Sequence, residues 1–229
     1  MRAGHRRGIV RELEAGTVVT RILIADDHQV VRLGLRTLLE LDPDLEVVGE
    51  AGDGAEALEQ ARRHRPDVVL MDLVMPGMDG LVATELIRSE VCQTEVVALT
   101  SVAESESLLN AIRAGAIAFL LKDTRAQDLR RTIKAAAAGQ VQLTPKVAAR
   151  LISQMPFALQ AVPIDPTERC ILQMLAESCT TSDIARALGI DERATRVRID
   201  RLLSKLVLRS RTQAVLYAAQ MGLVVLEGA

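Results

Sequence analysis

Tryptophan is missing from the 229 residues, tyrosine occurs once and phenylalanine twice, so the core must be aliphatic. Cysteine is scarce as well. Cys92, Cys170 and Cys179 are odd in number and follow neither a CxxC pattern nor a metal-ligand spacing. That excludes a disulfide framework and leaves ordinary thiols of a reducing compartment. No apolar run is long enough to span a bilayer and no signal peptide is visible, so a cytoplasmic chain with no membrane partner is expected. Internal repeats and low-complexity tracts are absent too. What the chain does have is length for two ordinary domains, each with its own core.

The net charge of −2 hides an uneven distribution. From Arg21 to Gln140 there are 13 basic and 20 acidic residues, whereas from Ile164 onward there are 9 and 8. Two halves of different charge suggest two domains with different partners. From Arg21 short aliphatic runs ("RILIA", "LEVVGE", "DVVLM", "EVVAL", "AFLL") alternate with segments of helical period. Five such units in succession predict a parallel sheet covered on both faces, an α/β domain over residues 20–140. Residues 1–19 carry no clear apolar period and are expected to form a disordered extension. Residues 141–163 read as an interdomain helix, opened by Thr144-Pro145, and a linker broken by Pro156 and Pro163. From residue 164 to 229 the period is helical throughout, which predicts a small all-α domain.

In an open parallel sheet, functional residues collect at the carboxyl ends of the strands. The first run ends in Asp26-Asp27, the third in Asp72, the fourth in Thr100-Ser101 and the fifth in Lys122. A single Asp after a strand often only caps a helix or turn, but three of them together with Thr100 and Lys122 at one edge point to a site. In a flavodoxin-like strand order the first and third strands are neighbours, which would bring three carboxylates together. Their mutual repulsion calls for a cation. Oxygen ligands in an incomplete cage suit Mg²⁺, and Lys122 adds a second positive charge.

The stretches "ILIADDHQVVRLGLRTLL", "VVLMDLVMPGMDG", "VVALTS" and "GAIAFLLKD" closely resemble the receiver domains of two-component response regulators. The resemblance implies that Asp72 is the phosphoacceptor of a sensor histidine kinase. It implies that Asp26, Asp27, Asp72 and the backbone carbonyl of Val74 hold Mg²⁺. Thr100 would be the hydroxyl that moves to the phosphoryl group, Lys122 its counter-charge and Phe119 the aromatic that changes rotamer. The rival class is a phosphatase acting through an aspartyl-phosphate. It needs a second acid two residues beyond the nucleophile for turnover. That position is Val74, so no enzyme is expected.

"TTSDIARALGIDERATRVRIDRLLSKL" reads as two helices joined by a tight turn. Thr180 with Asp183 makes a capping box, Gly189 ends the first helix and Asp191 caps the second. Thr195, Ile199, Leu202, Leu203 and Leu206 form the inward stripe. Arg193, Arg196, Val197, Arg198, Arg201 and Lys205 lie on or beside the opposite face and are the candidate DNA contacts; Asp200 is expected to face the groove with them. Residues 165–224 resemble the LuxR-type helix-turn-helix of NarL/FixJ-class regulators, with departures at Cys170, Ala194, Arg198 and Asp200. The resemblance implies promoter DNA as partner, a homodimer when phosphorylated, and Val215, Leu216 and Ala219 as a dimer face that core packing explains equally well. The alternative is a regulator whose C-terminal domain binds a protein, or binds DNA regardless of phosphorylation.

Overall fold

A computed structural model describes residues 19–101, 105–141, 145–154 and 162–224. The expected N-terminal extension, but for Val19, lies outside them, as do Thr144 and Pro156. The first part alternates strands β1 (Thr20–Ala25), β2 (Leu45–Ala51), β3 (Val68–Asp72), β4 (Glu95–Thr100) and β5 (Ala118–Leu121) with five helices. These are α1 (Gln29–Glu40), α2 (Gly54–His64), α3 (Gly80–Glu90), α4 (Ser105–Ala114) and α5 (Ala126–Ala137). The strands pair in parallel in the order β2-β1-β3-β4-β5, so β1 and β3 are neighbours.

Every position of β3 and β4 is buried, which is why their sequences read as nearly unbroken apolar runs. On one face Leu23, Val69, Met71 and Val96 meet Ala57, Leu58 and Ala61 of α2 and Ala83 and Ile87 of α3. On the other, Ile22, Ile24, Leu70, Val97 and Leu99 pack with Leu39 of α1 and Leu129 and Ile133 of α5. Helix starts are set by side chains: the Asp53 carboxylate accepts from the Glu56 N–H at 2.9 Å, and that of Asp79 from the Val82 N–H at 2.8 Å.

Beyond the sheet come α6 (Pro145–Gln154), α7 (Pro166–Ala176), α8 (Thr181–Leu188), α9 (Glu192–Lys205) and α10 (Arg211–Gln220). Asp165 with Glu168 boxes the start of α7, and Thr180 with Asp183 that of α8. Gly189 ends α8 at φ 65°, the left-handed conformation a tight inter-helix turn needs. Helix α10 is buried at each position from Arg211 to Ala218. Ala214, Val215, Tyr217 and Ala218 share a core with Ile171, Leu172 and Leu175 of α7, while Leu216 packs with Ile112 of α4 and Ala148 and Leu151 of α6. The C-terminal helices are thus packed on the sheet domain. Among the described residues no helix is long and apolar enough to cross a membrane.

One glycine governs how closely α3 approaches the end of β3. A Cβ on Gly80 would collide with the backbone carbonyl oxygen of Asp72 and crowd Leu73 Cα to 2.9 Å. Only a residue without a side chain lets the chain turn back there. Gly80→Ala should lower stability by about 1–3 kcal/mol through overpacking against backbone, read as a lower urea midpoint at unchanged slope.

Candidate functional site

The strand order brings the ends of β1 and β3 together, and with them their carboxylates. Asp26 is fully buried and Asp72 nearly so, while Asp27 is partly open to solvent. One ligand atom from each of Asp26, Asp27, His28 and Asp72 lies within 4.8 Å of the others. Lys122, just past β5, reaches across the sheet edge to both buried carboxylates: its Nζ is 2.7 Å from Asp26 Oδ2 and 2.7 Å from Asp72 Oδ2. Burial alone would lower the pKa of this ammonium. The hydrogen bonds and charges of Asp26 and Asp72 outweigh that, and the net shift is upward from 10.5. The cluster is therefore held by a permanent cation at neutral pH.

The remaining edge residues take their places by register. Asp72 pairs with Leu99, so Thr100 stands one step further along β4 and is buried there. The Val74 N–H reaches Asp72 Oδ1 at 3.3 Å, while the Val74 side chain is 78% exposed and adds no acid to the site. Phe119 is half-buried among Leu73, Ala98, Ala111 and Ala116. His28 was not among the residues singled out by sequence. Its N–H donates to Asp26 Oδ1 at 2.9 Å and its Nδ1 lies 2.6 Å from Asp27 Oδ1, so it locks the two neighbouring carboxylates in place. Adjacency to the acidic pair was the available signal.

Helix α9 buries the expected stripe, Thr195, Ile199, Leu202 and Leu203 along the helix and Leu206 at its C-cap. Arg193, Val197, Arg198 and Arg201 are exposed, Arg196 is half-buried, and Lys205 holds the Glu168 carboxylate of α7 at 2.6 Å. Asp200 departs from expectation. It is half-buried against the sheet domain, and Gln93, in the turn between α3 and β4, donates to its Oδ2 at 2.7 Å. Helical period identifies an outward position but not what the outward side meets.

Asp200 borders a buried charge cluster that sequence reasoning missed. Glu95, at the start of β4, lies between Arg88 of α3 at 3.0 Å and Arg211 of α10 at 3.3 Å, all three nearly closed to solvent. Desolvation raises the Asp200 pKa, opposed by the charges of Arg88 and Arg211 and assisted by Glu95. Charged residues at otherwise apolar positions, Glu95 opening a buried strand and Arg88 on a buried helix face, were the only sequence signs of it.

The comparisons with known proteins can be set on this geometry. Residues 22–134 match the family model described as the response regulator receiver domain, and residues 164–218 that of the bacterial regulatory proteins of the luxR family. The transcriptional regulatory protein LiaR of Bacillus subtilis is 40% identical over 208 residues, 89% of this chain and 99% of that protein. The response regulator protein VraR of Staphylococcus aureus is 34% identical over 205 residues, 89% and 98% of the two chains. A solved two-component response regulator of the LuxR family from an Aurantimonas species is 35% identical with a TM-score of 0.54, over 59% of this chain and 97% of that one.

A carboxylate whose pKa is higher in the folded protein than in the unfolded chain is destabilising when ionised. Asp200→Asn should therefore raise the urea midpoint at pH 7. The gain should shrink as pH falls through the raised pKa and vanish below about 4, the ordinary pKa of Asp, where both forms of the parent are neutral.

Proposed function

Because the chain belongs to the LuxR family of two-component response regulators, we propose that it is a transcription regulator switched by phosphorylation of Asp72. The donor is a sensor histidine kinase, the output is promoter DNA bound by the C-terminal helix-turn-helix, and both meet the protein in the cytoplasm. One observation carries the reading: a buried Asp72 at the end of a rigid strand, 2.7 Å from the Lys122 ammonium, inside a cluster of carboxylates within 4.8 Å.

The donor set fits a hard divalent cation that keeps waters and a phosphoryl oxygen, with Asp26, Asp27, Asp72 and the Val74 carbonyl as its holders. Bound there, Mg²⁺ would draw charge off the phosphoryl oxygens. The protein's own residues do the rest. A carboxylate oxygen of Asp72 attacks the phosphorus, the new P–O bond forms, and the phosphorus–nitrogen bond of the kinase's phosphohistidine breaks. Lys122, already charged, neutralises the oxygens without a proton transfer. Thr100 then donates its hydroxyl to a phosphoryl oxygen, and Phe119, packed on the same strands, follows the shift. With Val74 where a phosphatase would carry its acid, that position offers no general base for water, so the aspartyl-phosphate persists as a signal.

DNA contact falls to Arg193, Arg196, Val197, Arg198, Arg201 and Lys205 of α9. A helix with its side chains is about 10–12 Å across and the major groove about 12 Å wide, so a phosphate backbone runs along each flank of an inserted helix. Gln93 occupies one flank, at Asp200. This favours DNA binding that depends on phosphorylation over DNA binding that ignores it. The active form is a homodimer on a two-fold site.

Acetyl phosphate with Mg²⁺ should add one phosphoryl mass to the chain, and Asp72→Asn should abolish the addition. Asp79→Asn should leave it intact, because Asn caps α3 as well as Asp does. Intact mass spectrometry decides it. Persistent phosphorylation of Asp72→Asn contradicts the assignment, and sustained turnover of a phosphate ester favours the phosphatase class.

A further inference from the structure

The corner where α4 runs into β5 is tied at both ends to the edge described above. Helix α4 follows Thr100 within a few residues, and β5 carries Phe119 and leads directly to Lys122. Phe119 packs against Ala111 and Ala116 of this corner, so a displacement of its ring presses on the corner directly. The corner is also where the C-terminal domain takes hold. Gln213 of α10 donates its side-chain amide to the carbonyls of Ile112 at 2.8 Å and Arg113 at 3.2 Å. Those carbonyls belong to the last turn of α4, and that of Ile112 also accepts from the Gly115 N–H at 3.1 Å. Thr212 donates its hydroxyl to the carbonyl of Ile117, the residue before β5, at 3.0 Å. The amide oxygen of Gln213 accepts from the Arg209 N–H at 2.9 Å, which fixes the orientation of the amide. Thr212 and Gln213 are themselves buried.

We propose that Thr212 and Gln213 are the residues through which the C-terminal domain senses the phosphorylation state, by gripping the backbone carbonyls of the α4–β5 corner. The inference rests on the function proposed above. The contacts are directional hydrogen bonds from side chains to backbone, so a shift of the corner by about an ångström breaks them, whereas an apolar contact would slide. With the grip lost, α10 no longer holds the flank of α9 against Gln93. Leu216, now packed on α4 and α6, is freed at the same step. Thr212 and Gln213 are positioning residues: they touch neither the phosphoryl group nor DNA.

Coupling between two sites is reciprocal, which gives the grip a signature at the far end of the molecule. If a phosphoryl group at Asp72 loosens the grip, loosening the grip must favour the phosphoryl group. The test uses the full chain with Thr212→Val, which removes only the hydroxyl, and Gln213→Glu, which keeps the acceptor for Arg209 and removes the amide donors. Far-UV circular dichroism checks the fold, and Thr212→Val supplies the mild variant should Gln213→Glu unfold. Two quantities are read: the radius of gyration without phosphorylation, and the beryllofluoride–Mg²⁺ concentration that half-saturates the receiver by NMR. The expected result is an expanded unphosphorylated chain and half-saturation at about 5-fold lower concentration or less. A folded variant with unchanged radius overturns the grip. An expanded variant with unchanged half-saturation overturns the sensing role. If the parent itself fails to bind beryllofluoride, the phosphorylation reading falls, and with it the sensing role, while the radius still reports whether the grip holds the domains.

Discussion

Like charges crowded at one sheet edge are the constraint around which this molecule is arranged. At 4 Å and an effective dielectric of about 20, each pair of carboxylates repels by on the order of 4 kcal/mol, comparable to the whole stability of a small domain. The edge tolerates Asp26 and Asp72 because Lys122 touches both. The parallel order β2-β1-β3-β4-β5 is what places β1, β3 and β5 so that this can happen. Gly80 then lets α3 come back against Asp72, and His28 pins the outer carboxylate. The nucleophilic role proposed for Asp72 needs such rigidity, because its oxygen must be aligned before a donor arrives.

The junction between the two parts of the chain is built differently. Its centre is Glu95 between Arg88 and Arg211, with side-chain-to-backbone hydrogen bonds beside it. Burying such charges costs about as much as their attraction returns, so the contact fixes an orientation without adding much net affinity. Separation lets water take back all three charges. An interface of this kind closes in one register and opens cheaply, which suits the phosphorylation-dependent regulation proposed above. Asp200 fits the same logic: a half-buried carboxylate with a raised pKa sets a cost on the closed form that a neutral residue would not.

Much of this was legible in the sequence, and for identifiable reasons. Strand β3 lies within one residue of its apolar run at either end, because burial on both faces leaves no room for interruption, and β5 coincides with its run although it is only half-buried. The caps at Thr180, Gly189 and Asp191 and the inward stripe of α9 are local signals, and each reads directly from spacing. The convergence of Asp26, Asp27, Asp72 and Lys122 followed from strand order alone. Residues that act across the junction were not legible. Gln213 meets Ile112 across 101 positions, and Gln93 meets Asp200 across 107. No period or motif spans such a distance. Helical spacing therefore points Asp200 at a groove, whereas its neighbour is a turn of the same chain.

The proposed switch depends on Asp72 forming an acyl phosphate. An acyl phosphate, unlike a carboxylate or a phosphate ester, is reduced by borohydride to an alcohol. Treating the chain first with acetyl phosphate and Mg²⁺, then with borohydride, and mapping its peptides by mass tests the claim at the level of a single residue. Homoserine is expected at position 72 and nowhere else. Homoserine at Asp26, Asp27 or Asp79, or a phosphoryl group that survives borohydride on a hydroxyl, would contradict it.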